Sequence, residues 1–221
     1  MFKFLRRWFL KKNADFEPCL KPVSRVFGFD RGTPVDRVFI ESFIAENKEL
    51  IKGQVLEVGE TLYSKKFSHN ADLKILSYSG SPSPDSIVGD LEKLSTLPEN
   101  FADCFICTQT LNFIYDFNSA ICGIRHLLKP GGTALVTVAG LTQISRFDME
   151  RWGDYWRFTD MSMRRAFSRV FGENNVGVCS YGNLKSAIGL LKGMAAEEFD
   201  NQELFVKDED YQVVIAVRAR K

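Results

Sequence analysis

From Gln54 onward the apolar positions fall in short runs, QVLEV, DLKILSY, SIVGD, DCFICT and TALVTVA, separated by longer stretches with a different rhythm. The runs read as strands, whose side chains alternate between two faces. Near 61–68 and 116–128 the apolar residues recur every three or four positions, the period of a helix that buries one side. Phe105-Ile106-Cys107 and Ala134-Leu135-Val136 are apolar throughout, which suits strands covered on both faces. A helix near 160–171, a strand NVGVCSY, a helix near 184–199 and a last strand YQVVIAVRA complete the pattern. It predicts an α/β fold: a doubly wound, mostly parallel, seven-stranded sheet with an antiparallel edge strand and helices on both faces.

Ahead of the sheet, Thr33-Pro34-Val35-Asp36 combines a capping hydroxyl, a proline at the first helical position and a carboxylate three residues past the cap. The helix predicted there runs through Val35, Phe39, Ile40, Phe43, Ile44, Leu50 and Ile51 to a stop at Lys52-Gly53. Lys129-Pro130-Gly131-Gly132 reads as the turn before strand five. There is no internal repeat and no interdomain linker. The organisation expected is an arm over residues 1–22 and a single domain over 23–221, with 140–160 as a cap segment.

In the arm, Phe2, Phe4, Leu5, Trp8 and Phe9 gather on one side of a helical wheel while Lys3, Arg6, Arg7 and Lys11 lie mostly opposite. That suits a membrane surface, contacted weakly and peripherally, or a partner groove. The alternatives are a basic terminus without a partner, or one packed on its own domain. Arg6 and Arg7 also split what would be the apolar centre of a secretory signal. Charged residues interrupt every apolar stretch before it reaches the roughly 18 residues of a membrane-spanning helix.

Composition narrows the picture further. With 45% hydrophobic and 26% charged residues, the 221-residue chain is neither disordered nor fibrous. Lys+Arg 29 against Asp+Glu 28 leaves a formal charge of +1, so no global field draws in nucleic acid. Five cysteines without framework spacing favour a reducing, cytoplasmic compartment. Cys104 and Cys107 form a C-x-x-C within a strand, where an offset of three points them to opposite faces and speaks against a metal or redox pair. His126, among Ile124, Leu127 and Leu128, reads as structural, and His69 as a solvent-exposed loop residue. No metal site and no nucleophile elbow can be read.

In an open parallel sheet, ligands bind beyond the carboxyl ends of the strands. The first strand ends in Glu57-Val58-Gly59-Glu60, with one glycine of the three that a dinucleotide fingerprint needs, which speaks against NAD. VLEVGE, VGDLEKLSTLPENFADCFICTQTLNFIYD, LLKPGGTALVTV and RWGDYWRFT, in this order and spacing, resemble the class I S-adenosylmethionine-dependent methyltransferases. The closest likeness is to the small bacterial type-11-like family, with its Rossmann-like fold, across residues 22–219. The resemblance implies S-adenosylmethionine as cofactor. It places Glu57, Val58, Gly59 and Tyr63 at the loop around the methionyl part, although Thr61 and Tyr63 stand where further glycines are usual. Ser77 stands where an acid usually holds the ribose. Asp90 and Leu91 fall at the adenine, and Thr108 and Gln109 beside the reacting sulfonium.

Methyl transfer from a sulfonium is an in-line displacement with a neutral leaving group, so alignment supplies most of the acceleration. A base is needed only for an acceptor that must lose a proton. The family builds its acceptor site after strand five. Here that segment holds Arg146, Arg151, Trp152, Tyr155, Trp156 and Arg157 as candidate acceptor contacts, with Asp148 and Asp154 as candidate bases. Arg31 and Arg37 are further candidates for an acceptor anion. Rings and arginines together suit a polar, ring-bearing acceptor such as a sugar or its anionic carrier; equally, the rings can pack on the sheet and the charges pair in solvent. The expected function is methylation, at oxygen or nitrogen, of a small molecule or a saccharide intermediate in polysaccharide biosynthesis. The alternative is a non-catalytic scaffold or regulatory module that binds the same cofactor.

Overall fold

The computed structural model describes residues 20–68 and 70–221. Residues 1–19, which carry the basic amphipathic pattern, and His69 lie outside the described residues. The elements are α1 (Val35–Glu46), β1 (Gln54–Val58), α2 (Leu62–Phe67), β2 (Asp72–Ser77), β3 (Ser86–Val88), β4 (Ala102–Thr108), α3 (Phe117–Leu127), β5 (Leu128–Ala139), α4 (Arg146–Met149), α5 (Asp160–Phe171), β6 (Val176–Tyr181), α6 (Leu184–Lys192), α7 (Asn201–Leu204) and β7 (Val214–Arg220).

The seven strands form one sheet in the order β3-β2-β1-β4-β5-β7-β6. The first five are parallel, with Val55 opposite Leu73 on one side and Cys104 on the other. β7 is the antiparallel strand, and it lies one place in from the margin, between β5 and β6. Its run of Val214 to Val217 is wholly buried, as a strand with a neighbour on each side requires. Two cores lie on the two faces of the sheet. α3 and α5 cover one through Ile121, Ile124, Met163 and Phe167. α1, α2 and α6 cover the other through Phe39, Ile44, Tyr63 and Leu190. Within β4, Phe105 and Cys107 enter the first core and Cys104 and Ile106 the second. The two thiols thus face opposite ways, and burial pushes both up to about 12.

Four expectations about local structure give way. α1 begins after Pro34 without a side-chain cap, because the Thr33 hydroxyl donates instead to Glu197 at 2.6 Å. It also ends at Glu46, and a short 3-10 turn, Lys48–Leu50, covers the rest of the distance to Gly53. Lys129-Pro130-Gly131-Gly132 belongs to β5, where a register irregularity opposite Ala102 absorbs the positive φ of Gly131. The helix expected over 184–199 stops at Lys192, where Gly193 adopts the left-handed conformation, and a separate 3-10 turn spans Ala196–Glu198.

Candidate functional site

The carboxyl end of β1 is organised by a buried acid. Glu57, 2% exposed, accepts the backbone N–H groups of Tyr63 (3.0 Å) and Ser64 (2.8 Å), which open α2. This satisfies two of the donors a helix leaves unpaired at its start. Burial is the largest influence on the carboxyl and raises its pKa against those bonds. Both oxygens are thus spent on the chain's own backbone, so Glu57 shapes the loop and does not face a ligand. Gly59 turns that loop at φ +80°, and a Cβ built on it meets nothing within 4 Å.

Beyond β1, β4 and β5 lies a cavity of about 260 Å³. Tyr63, Thr108 and Gln109, all singled out from sequence, line it, as do Arg37, Asp148, Asp154 and Arg157. Gln109 ends β4 with φ +49°, a conformation that costs a non-glycine residue about 1 kcal/mol or more. Its Nε2 is buried without a partner, as are Oδ1 of Asn112, itself only 3% exposed, and Oγ1 of Thr142. All three residues line the same cavity. Tyr63 is buried enough that its phenol is pushed up to about 12.

Residues 20–33 form a strap over this end of the sheet. The N–H of Val23 donates to the Lys192 carbonyl at 2.8 Å, and Gln143 Nε2 donates to the Arg25 carbonyl at 3.0 Å. Phe27 and Phe29 from the strap line the cavity, and Arg37 stands 5.2 Å from the centre of the Phe29 ring. Asp36, beside Arg37, also lines it. Burial raises the Asp36 carboxyl, which accepts the Arg37 N–H at 2.9 Å. Sequence reading took Asp36 for a helix-start charge and passed over Asn112, Thr142 and the strap phenylalanines. The only signal for Asp36 was a carboxylate in the turn next to Arg37.

The segment after β5 separates its residues sharply. Asp154 has a side chain only 1% exposed and accepts both guanidinium nitrogens of Arg157, at 2.5 and 3.0 Å, and the N–H of Ser145 at 3.0 Å. Its oxygens are committed, and it does not serve as a base in this arrangement. Asp148 accepts the Ser145 hydroxyl at Oδ2, 2.5 Å away, and its Oδ1 makes no hydrogen bond among the described residues. Arg146 and Arg151 stay on α4: Arg146 reaches Met149 Sδ, and Arg151 lies over the Phe147 ring and donates to the Phe147 carbonyl. Trp152 and Tyr155 are half-exposed, and Tyr155 meets Tyr115 edge to face. Trp156 packs against Phe117 and donates its ring N–H to the Tyr115 carbonyl. Arg31 is held by Glu198 and does not line the cavity.

At the ends of β2 and β3 the arrangement is different. Asp90 accepts the Glu92 N–H at 3.0 Å and pairs with Lys93 at 3.0 Å. Leu91 is buried in the core beneath α3, its carbonyl against Gly123, so it offers no face to a ring. Ser77 is half-buried, and Tyr78 beside it is largely exposed. Neither Asp90 nor Ser77 lines the cavity, and Val58 packs against the core. His126 rests against the Leu97 carbonyl, as a structural histidine does. Among the described residues no group of three potential metal ligands comes together.

Residues 55–136, from β1 into β5, match the family model of the type 11 methyltransferase domain. A SAM-dependent methyltransferase from Archaeoglobus fulgidus superposes with a TM-score of 0.55 at 11% identity, covering 84% of this chain and 94% of that one. One from Mesorhizobium loti gives 0.53 at 14% identity, covering 88% of this chain and 100% of that one. The cyclase SpnF gives 0.53 at 17% identity, covering 92% of this chain and 88% of that one. No curated protein matches the sequence. At such identities the structural likeness establishes the fold. Over residues 55–136 the chain is similar to the type 11 methyltransferase domain, for which S-adenosylmethionine is the expected cofactor.

Proposed function

We propose that the protein is an enzyme that methylates an oxygen or nitrogen of a small molecule or saccharide intermediate, with S-adenosylmethionine as donor. The observation that carries this reading is the gathering of unpaired Gln109 Nε2, Asn112 Oδ1 and Thr142 Oγ1 in the walls of one cavity. A buried polar group left unpaired costs roughly 1–3 kcal/mol, and native proteins keep such groups few. Three at one cavity speak for a ligand that pairs them. Gly59 does not line the cavity, but the open space over it leaves room for a ligand that extends past the β1 loop. In this reading Gly59, Tyr63, Thr108, Gln109 and Asn112 hold the methionyl half of the cofactor. Ser77 and Asp90 hold the adenosyl half once Lys93 releases its carboxylate.

The bound cofactor would supply a methyl carbon on a positively charged sulfur, which leaves as a neutral thioether. The chain's own work is alignment. Phe27, Phe29 and Phe113 keep water from the cavity, and the Asp154 carboxylate fixes Arg157 in the wall. Arg37 suits the phosphate or carboxylate of a saccharide carrier, whereas Arg157 spends its terminal N–H groups on Asp154 and on the Trp156 and Gln143 carbonyls. For a hydroxyl acceptor, Asp148 Oδ1 takes the proton while the Ser145 hydroxyl steadies the other oxygen. The assignment to polysaccharide biosynthesis in the cytoplasm rests on the sequence resemblance.

A second reading, a non-catalytic scaffold or regulatory module, is favoured by the self-paired Asp90 and by the serine in place of an acid at the end of β2. That a cyclase shares the fold also shows that the fold alone does not dictate methyl transfer. Incubation with methyl-labelled S-adenosylmethionine and a panel of sugar phosphates, nucleotide sugars, phenols and amines separates the two. The enzyme reading expects label in an acceptor and, where that acceptor is a hydroxyl, much slower labelling in Asp148→Asn. Binding of the donor without transfer to any of them would favour the scaffold.

A further inference from the structure

One side of the cavity offers hydrogen-bond acceptors and little to donate to them. Asp36 accepts the Arg37 N–H, and no side chain donates to it among the described residues. Asp148 keeps Oδ1 unbonded while Ser145 occupies Oδ2. Thr142 Oγ1 is buried without a partner. Asp36 comes from the first turn of α1, and Thr142 and Asp148 from the segment after β5, so stretches distant in sequence bring these oxygens to one cavity. That the cavity takes a ligand has independent support in Asn112, 3% exposed and unpaired at Oδ1 in the same wall.

The charge balance points the same way. Asp154 and Arg157 cancel each other. Glu60 follows Gly59 in the β1 loop, on the donor's side of the cavity. Asp36 and Asp148 are left with Arg37, which makes no salt bridge among the described residues and lies over the Phe29 ring. One negative charge is therefore unmatched. Burial already works against the charged form of Asp36, and the neighbouring Arg37 offsets only part of that cost; a cation set against the carboxylate would relieve it. An ammonium brings three donors and no acceptor, whereas a hydroxyl brings a single donor and two lone pairs. Phe27 and Phe29 add ring faces, which attract an organic cation.

We propose that the methyl acceptor is a primary or secondary amine, selected by Asp36 and Thr142, each of which accepts one of its N–H groups. The inference rests on the methyl-transfer reading and narrows it. The amine enters as its ammonium and gives one proton to Asp148 Oδ1, which frees the nitrogen lone pair. The nitrogen then gains the methyl group together with the positive charge that it brings, and the proton on Asp148 passes to water as the product leaves. Asp36 holds the nitrogen throughout, so its part is selection and alignment.

The test is calorimetric titration of the full chain, loaded with S-adenosylhomocysteine, with probes that differ only in amine against hydroxyl: glucosamine with glucose, and benzylamine with benzyl alcohol. In at least one pair the amine should bind about tenfold more tightly or better, because a site built for N–H groups rejects the analogue that lacks them. Asp36→Asn keeps an oxygen for the Arg37 N–H and removes the charge. It should abolish the preference and leave affinity for S-adenosylhomocysteine unchanged. With methyl-labelled donor it should raise KM for the amine about tenfold and leave kcat within about twofold, a split that a merely structural role would not give. Should Asp36→Asn not fold, Thr142→Val decides: it removes an unpaired hydroxyl at similar volume and should weaken the amine about fivefold with the melting temperature unchanged. With the donor analogue bound, the inference alone is overturned if neither pair shows an amine preference, or if the preference is untouched by folded Asp36→Asn or by Thr142→Val. No binding of S-adenosylhomocysteine would overturn the methyl-transfer reading and this inference with it.

Discussion

Beyond the ends of β4 and β5, polar side chains are buried without partners; beyond the end of β3, the Asp90 carboxylate is satisfied within the chain. Gln109 and Asn112 carry the first condition, Asp90 with its Lys93 and Glu92 contacts the second. Both belong to one carboxyl edge, so the difference is not one of fold. It shows where the edge is prepared to receive a ligand in advance. The side beyond β4 carries buried unpaired polar atoms and a residue at positive φ, while on the β2/β3 side a ligand must first open an ion pair.

The sharpest way to break this comparison is Gly59→Val, which fills the open space over the β1 loop. Calorimetric titration should show affinity for S-adenosylhomocysteine reduced by more than about a hundredfold, on the order of 3 kcal/mol. Because φ is +80° there, a branched side chain should also lower stability to urea by about 1–3 kcal/mol. Retained affinity would mean that no ligand lies over Gly59. The next largest effect belongs to Asp148→Asn, expected to slow transfer to a hydroxyl acceptor by roughly a hundredfold while calorimetry finds donor affinity unchanged.

A paired measurement sharpens the contrast between the two halves. Asn112→Ala should weaken S-adenosylhomocysteine binding about tenfold and cost the ligand-free protein less than about 1 kcal/mol, since the removed oxygen has no partner to lose. Asp90→Ala should weaken binding only about threefold, because part of what its carboxylate gives a ligand is taken back from Lys93. The reverse order would place the stronger contacts at the adenosyl end.

The smallest effect expected concerns the scaffold under the β1 loop. Burial raises the Glu57 pKa above its unfolded value, so the stability linked to its protonation is fully present below the ordinary carboxylate range and is lost as pH rises through the raised value. Glu57→Gln should remove that fall from the urea-unfolding profile. At neutral pH it should cost about 1 kcal/mol, since an amide oxygen accepts only one of the two N–H groups well.

The sheet was legible because its strands carry their burial on the surface of the sequence: DCFICT and TALVTVA are apolar on both faces, as strands between two helical layers must be. What periodicity could not supply was where β7 would insert, since an antiparallel strand and an edge strand look alike until their neighbours are known. The end of α1 was overrun because Leu50 and Ile51 keep helical spacing through a 3-10 turn. Of the residues that sequence ties to strand ends, Tyr63, Thr108 and Gln109 line the cavity, while Gly59 turns the β1 loop outside its lining. Residues whose role depends on pairing were not legible. Asp154 and Asp148 look alike in sequence, and only the bidentate hold of Arg157 on Asp154 tells them apart. Arg31 and Arg37 divide in the same way, one spent on Glu198 and one facing the cavity.

The most direct measurement is a crystal structure of the protein with S-adenosylhomocysteine. The account predicts the amino-acid end of the ligand over Gly59, with polar atoms about 3 Å from Gln109 Nε2 and Asn112 Oδ1. A ligand bound elsewhere, or one bound at this edge while both atoms stay unpaired, would contradict it.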